Sequence, residues 1–116
     1  STLKKIKFTG SGILNIPDGA FNNFVSINSV TFGEGYKEIN IGRNAFKNTG
    51  ISEIVIPAHC NMDVEAFRKC RKLKSVEMEN GNIATTAFMD CISLQSVDFN
   101  GDVNIERNAF LDCTSL

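Results

Sequence analysis

At 116 residues the chain is sized for one domain, and its 42% hydrophobic and 22% charged composition is that of a folded globular protein. A net charge of −1 lacks the basic excess that a nucleic-acid partner requires. No apolar run reaches the roughly 18 residues that cross a bilayer, so membrane insertion is not expected.

The first segment, "LKKIKF" from Leu3 to Phe8, alternates apolar and polar residues toward its end and predicts a short strand with one face buried. A Gly-rich turn, "TGSG", follows, then Ile16, then Ala20-Phe21. The stretch around Ala-Phe is too short for a long helix and reads as a single helical or 3-10 turn. The same parts then return in order. "INSVTF" leads to "GEG", Ile41 and Ala45-Phe46; "ISEIVI" leads to Met62 and Ala66-Phe67. "LKSVEM" leads to "ENGN", Ile83 and Ala87-Phe88; "LQSVDF" leads to "NGD", Ile105 and Ala109-Phe110. Successive Ala-Phe pairs are spaced by 25, 21, 21 and 22 residues, which defines coils over 3–26, 27–50, 51–72, 73–93 and 94–115. Leu116 has the register of a sixth strand, so the chain is expected to be a segment of a longer solenoid.

One such coil cannot bury its apolar edge alone. Stacked at the strand spacing of about 4.8 Å, the coils share a continuous core in which the Phe residues form a ladder. Ala precedes Phe because neighbouring backbones must approach closely there. The expected fold class is therefore an α/β repeat solenoid of short parallel strands and short helical or 3-10 turns.

The units "AFRKCRKLKSVEM" and "AFMDCISLQSVDF" resemble the BspA-like leucine-rich repeats, and "AFKNTGISEIVIP" resembles the shorter Thr-Gly variant of that family. The resemblance spans Leu3 to Leu116. It implies a curved right-handed coil belonging to a cell-surface or secreted protein that takes part in adhesion and protein recognition, with a host or extracellular-matrix protein as partner. Phe24 departs from it by standing where the family prefers Cys.

Residues that carry chemistry elsewhere have positional explanations here. Cys70, Cys91 and Cys113 share one column and Cys60 stands in another with Leu14, Ile39, Gly81 and Val103, so all four are expected to be free, buried, small hydrophobes. Parallel stacking holds their Cβ atoms farther apart than a disulfide prefers. His59 and Cys60 are adjacent in an extended segment and point to opposite sides, which separates a thiol from its only imidazole. No metal-ligand spacing and no phosphate loop is present, and no cofactor or enzyme activity is expected. "RKCRKLK", Arg68 to Lys74, interleaves its cations with buried columns and reads as a solvated outer turn. Lys69 and Asp90 are expected to pair across successive coils.

The outward strand positions should line the concave face. Lys5, Ser29, Glu53, Ser75 and Ser96 form one column, and Lys7, Thr31, Val55, Glu77 and Asp98 the next. This face is polar, grades from basic to acidic and lacks an aromatic anchor. It is the candidate binding face of a non-enzymatic protein-binding or adhesion module. The alternative is a structural spacer that associates end to end with no ligand of its own.

Overall fold

The computed structural model describes residues 2–116. Its strands are β1 (Lys5–Phe8), β2 (Gly12–Ile16), β3 (Ser29–Phe32), β4 (Tyr36–Ile41), β5 (Glu53–Met62), β6 (Ser75–Ile83), β7 (Ser96–Phe99) and β8 (Val103–Ile105). Each expected strand is present, beginning two residues inside its repeat unit. Every coil also carries a second stretch of strand, because the apolar residues before each Ala-Phe alternate as well. Coils 1, 2 and 5 split the two stretches between β1 and β2, β3 and β4, and β7 and β8. In coils 3 and 4 they run through as the single long strands β5 and β6.

All pairings are parallel and join like positions of neighbouring coils. The second stretches make an unbroken ladder, with Leu14, Ile39, Cys60, Gly81 and Val103 in one register and Ile16, Ile41, Met62, Ile83 and Ile105 in another. The first stretches do not. β1 pairs β3, β5 pairs β6 and β6 pairs β7, but no ladder bond joins β3 to β5 among the described residues. Two changes in coil length meet at that gap. Coil 2 carries the long turn Gly33–Gly35, and the Thr49-Gly50 turn into β5 spans five residues from Phe46 to Ile51, where the other coils use six.

The core is the stack of Phe rings. Phe46, Phe67 and Phe88 are 0% exposed, and the rings of Phe21, Phe46, Phe67, Phe88 and Phe110 lie 5.2 to 5.4 Å apart in stacked pairs. Burying one such side chain contributes roughly 1.5–3 kcal/mol. Ala45, Ala66 and Ala87 are fully buried beside the rings. There the backbones of successive coils touch: Phe46 N–H donates to Ala66 O at 2.8 Å, Phe67 N–H to Ala87 O at 2.8 Å and Phe88 N–H to Ala109 O at 2.8 Å.

The expected helical or 3-10 turns are not formed; no described residue is helical. The residues two before and two after each Phe adopt positive φ, as at Asn44 (59°), Asn48 (55°), Glu65 (60°), Lys69 (62°), Thr86 (59°) and Asp90 (64°). A left-handed residue every four positions stops a helix before it can begin. Single turns of the type Ala45 N–H to Gly42 O alternate instead with bonds to the next coil. Glu65, Lys69 and Thr86 are poor left-handed formers, which is why sequence propensity conceals this geometry.

Candidate interaction surfaces

The ten predicted face residues all project on the side of β1, β3, β5, β6 and β7 away from the Phe stack. Lys5 is level with Ser29 and Lys7 with Thr31. Glu53, Ser75 and Ser96 are level with one another, as are Val55, Glu77 and Asp98. Ser29 and Ser75 are half-buried, and the other eight are exposed. The two groups are not continuous. Asn28 N–H donates to Lys4 O, Lys74 N–H to Ser52 O and Gln95 N–H to Lys74 O, but Ser52 makes no such bond to Asn28. A cleft of about 280 Å³ lies at this break, lined among others by Ser29, Thr31, Glu34, Glu53, Val55 and Pro57.

The turn column contains a buried polar device. Cys70, Cys91 and Cys113 are free, and each thiol donates at 3.1 Å to a carbonyl of the preceding coil: Phe46 O, Phe67 O and Phe88 O respectively. Thr49 occupies the same column, and its hydroxyl donates to Phe46 O at 3.0 Å. The expectation of free thiols holds, but these three are more than small hydrophobes. The thiol is a second donor to each buried carbonyl, since Phe67 O and Phe88 O also accept from Cys70 N–H and Cys91 N–H at 3.2 Å and Phe46 O from the Thr49 hydroxyl; a bond of this kind contributes about 1 kcal/mol. Cys60 has no such role, and burial alone pushes its thiol up to about 12. Cys91 is pushed up by its hydrogen bond with the Cys113 thiol and by burial. Cys60, Cys70 and Cys91 are therefore poor nucleophiles, whereas the half-buried Cys113 thiol is held down by its hydrogen bond with Cys91.

Other candidates resolve individually. His59 Nδ1 pairs with Asn80 Oδ1 at 2.5 Å on the outer face, while Cys60 is fully buried. Asp112 is exposed at a turn, whereas Cys113 beside it turns inward to Phe88 O. The expected Lys69–Asp90 pair is corrected: Arg68 Nε lies 3.6 Å from Asp90 Oδ2. Arg68 and Lys47 both also reach Glu65 at 3.1 Å. Partial burial acts to raise the Glu65 carboxyl, but hydrogen bonds and charge from Lys47 and Arg68 outweigh it and hold it below its usual range. Of the "RKCRKLK" turn, Cys70 and Leu73 are 0% exposed, and Arg71 and Lys72 face solvent.

A family model described as BspA type leucine rich repeat region matches residues 1–116 in six copies. The chain belongs to this repeat family. No curated protein and no solved structure matches it. The Phe ladder and the Cys/Thr donor column are the physical content of the Ala-Phe-x-x-Cys/Thr spacing that recurs in coils 2 to 5 of this BspA-type chain.

The outward face of the second stretches escaped sequence reading. Asn15, Asn40, Asn61, Asn82 and Asn104 are in register, and their amides form a head-to-tail ladder. Asn40 Nδ2 donates to Asn15 Oδ1 at 2.9 Å, Asn61 to Asn40 at 2.8 Å, Asn82 to Asn61 at 2.7 Å and Asn104 to Asn82 at 2.9 Å. A signal was available: an Asn stands one residue before Ile16, Ile41, Met62, Ile83 and Ile105 in all five coils of this BspA-type chain. Because Asn favours turns, its recurrence does not by itself announce a strand ladder. A groove of about 380 Å³ runs beside the ladder.

Proposed function

We propose that the chain is a non-enzymatic protein-interaction module of a surface or secreted adhesion protein, meeting its partner through the first-strand face. The repeat family supports interaction in general, and the placement of that face's charges supports this surface in particular. Lys5, Lys7, Glu53, Glu77 and Asp98 take part in no ion pair among the described residues, so their charges remain available to a partner. Lys5 and Lys7 lie in coil 1 and the three carboxylates in coils 3 to 5, a gradient that orients an approaching protein of opposite polarity. Without a Trp, Tyr or Arg anchor on this face, affinity comes from many coils or copies acting together.

The test is binding of a multi-repeat array to extracellular-matrix and cell-surface proteins, repeated with Lys5→Glu/Lys7→Glu and Glu77→Lys/Asp98→Lys. Binding that is salt-sensitive and lost in both double variants, with unchanged melting, is the expected result. A blank screen, or binding indifferent to both reversals, counts against the reading. A strongly concentration-dependent sedimentation coefficient for the unmodified chain would favour the end-to-end spacer instead.

A further inference from the structure

We propose that the groove beside the asparagine ladder holds an extended, neutral oligosaccharide laid across the coils. The groove is lined by Asn15, Asn40, Asn61 and Asn82, while the neighbouring Ile16, Ile41 and Met62 turn their side chains into the core. Gly42 and Ala84 keep its wall low. At Gly42 that smallness is built into the fold, because a Cβ would stand 2.6 Å from Asp18 N and Asp18 Oδ1.

The chemistry follows from what the ladder leaves unused. An Asn amide has two N–H donors and two acceptor positions, and the ladder consumes one of each. Asn40 spends its second N–H on Glu38 Oε2 at 3.0 Å. Asn61 and Asn82 make no further donation, so each offers a spare donor beside a spare acceptor in one plane. A donor next to an acceptor is complementary to the vicinal hydroxyls of a sugar, each of which both donates and accepts. The amides recur at the strand spacing of about 4.8 Å. A sugar residue in an extended chain advances by a similar distance, so consecutive residues meet equivalent partners.

Charge and uniformity narrow the class. Asp63 and Glu106 edge the groove and no Lys or Arg lines it, which disfavours sulfated or carboxylated glycans. The lining repeats the same side chain from coil to coil. A peptide needs alternating pockets for alternating side chains, and this wall provides none.

The experiment follows the Asn side-chain amide signals of the full chain by two-dimensional NMR, during titration with neutral β-linked and α-linked glucose disaccharides and hexasaccharides. A sulfated hexasaccharide and an uncharged extended peptide serve as controls. The expected result is a shift of the Asn61 and Asn82 signals, with a hexasaccharide binding about tenfold more tightly than its disaccharide. Ala84→Phe fills the groove while keeping every asparagine of the ladder, and should abolish the glycan-induced shifts while leaving the melting midpoint unchanged. The proposal is overturned if no neutral glycan moves these signals, if Ala84→Phe leaves the shifts intact, or if the peptide or the sulfated glycan moves them more.

Discussion

Coils 1 and 2 and coils 3 and 4 share one repeat unit and solve its corner differently, while coil 5 again splits its strands at Asn100, Gly101 and Asp102. In coils 1 and 2 a Gly-containing turn, Thr9–Ser11 or Gly33–Gly35, separates the two strands. In coils 3 and 4 that turn is reduced to an irregularity within β5 and β6, where the pairing shifts register between Ile56 and His59. Each group is consistent within itself: Gly35 packs against the Gly10 carbonyl, and β6 follows β5 along its length. The mismatch falls between them, at the missing β3–β5 ladder. A solenoid tolerates coils of different length, but the backbone pairing that depends on equal length is lost where they meet.

The largest expected effect tests whether the core is stronger in the later coils. Phe67→Ala should cost about 3–5 kcal/mol in urea unfolding, because its ring is fully buried between Phe46 and Phe88. Phe21→Ala, at a half-buried ring, should cost roughly half as much. Equal losses would erase the distinction. Corner geometry gives the next contrast. Gly81 has φ of +132° and an added Cβ would lie 1.9 Å from Cys60 O, whereas Gly12 has φ of +75° with open space around it. Gly81→Ala should therefore cost about 3 kcal/mol or more and Gly12→Ala about 1, measured in the same way.

The donor column offers a finer test. Cys91→Thr keeps a hydroxyl that, as at Thr49, donates to the carbonyl three residues back in its own coil, while Cys91→Val removes the side-chain donor altogether. The valine variant should be less stable than the threonine variant by about 1 kcal/mol in denaturant titration, and a reversed order would show that shape alone governs the column. One residue inserted after Thr49 would restore the six-residue turn. If turn length causes the break, native-state hydrogen exchange at Ser52 should slow by about tenfold as its bond toward Asn28 forms, and an unchanged rate would assign the break to the long turn of coil 2. The smallest effect concerns the left-handed column, which is Asn23 and Asn48 in the early coils but Lys69, Asp90 and Asp112 in the later ones. Lys69→Asn should raise stability by about 0.5 kcal/mol in thermal melts, since Asn accepts this conformation more readily.

Much of this arrangement was legible before the coordinates. The period, the Phe ladder, the Ala contacts and the registers of the Cys60 column all follow from letters recurring at fixed spacing, because a residue that must stack on its copy is constrained in every coil. The candidate face was read from the same columns, and its residues do lie level with one another within each group. Its interruption was not legible, since a one-residue deletion at Thr49-Gly50 looks like a harmless variant until the strand that it displaces is seen. The thiols were read as apolar because a carbonyl acceptor leaves no mark in sequence.

The sequence by itself determined the solenoid, its register and its buried columns, for repetition encodes contacts between like positions. Only the tertiary structure decided where the Ala-Phe turns give up helix for left-handed corners, where the strand ladder breaks, and that five scattered asparagines form one hydrogen-bonded row. Those outcomes depend on bonds between coils, and the energy of such bonds is set by the neighbour's backbone position rather than by any local propensity.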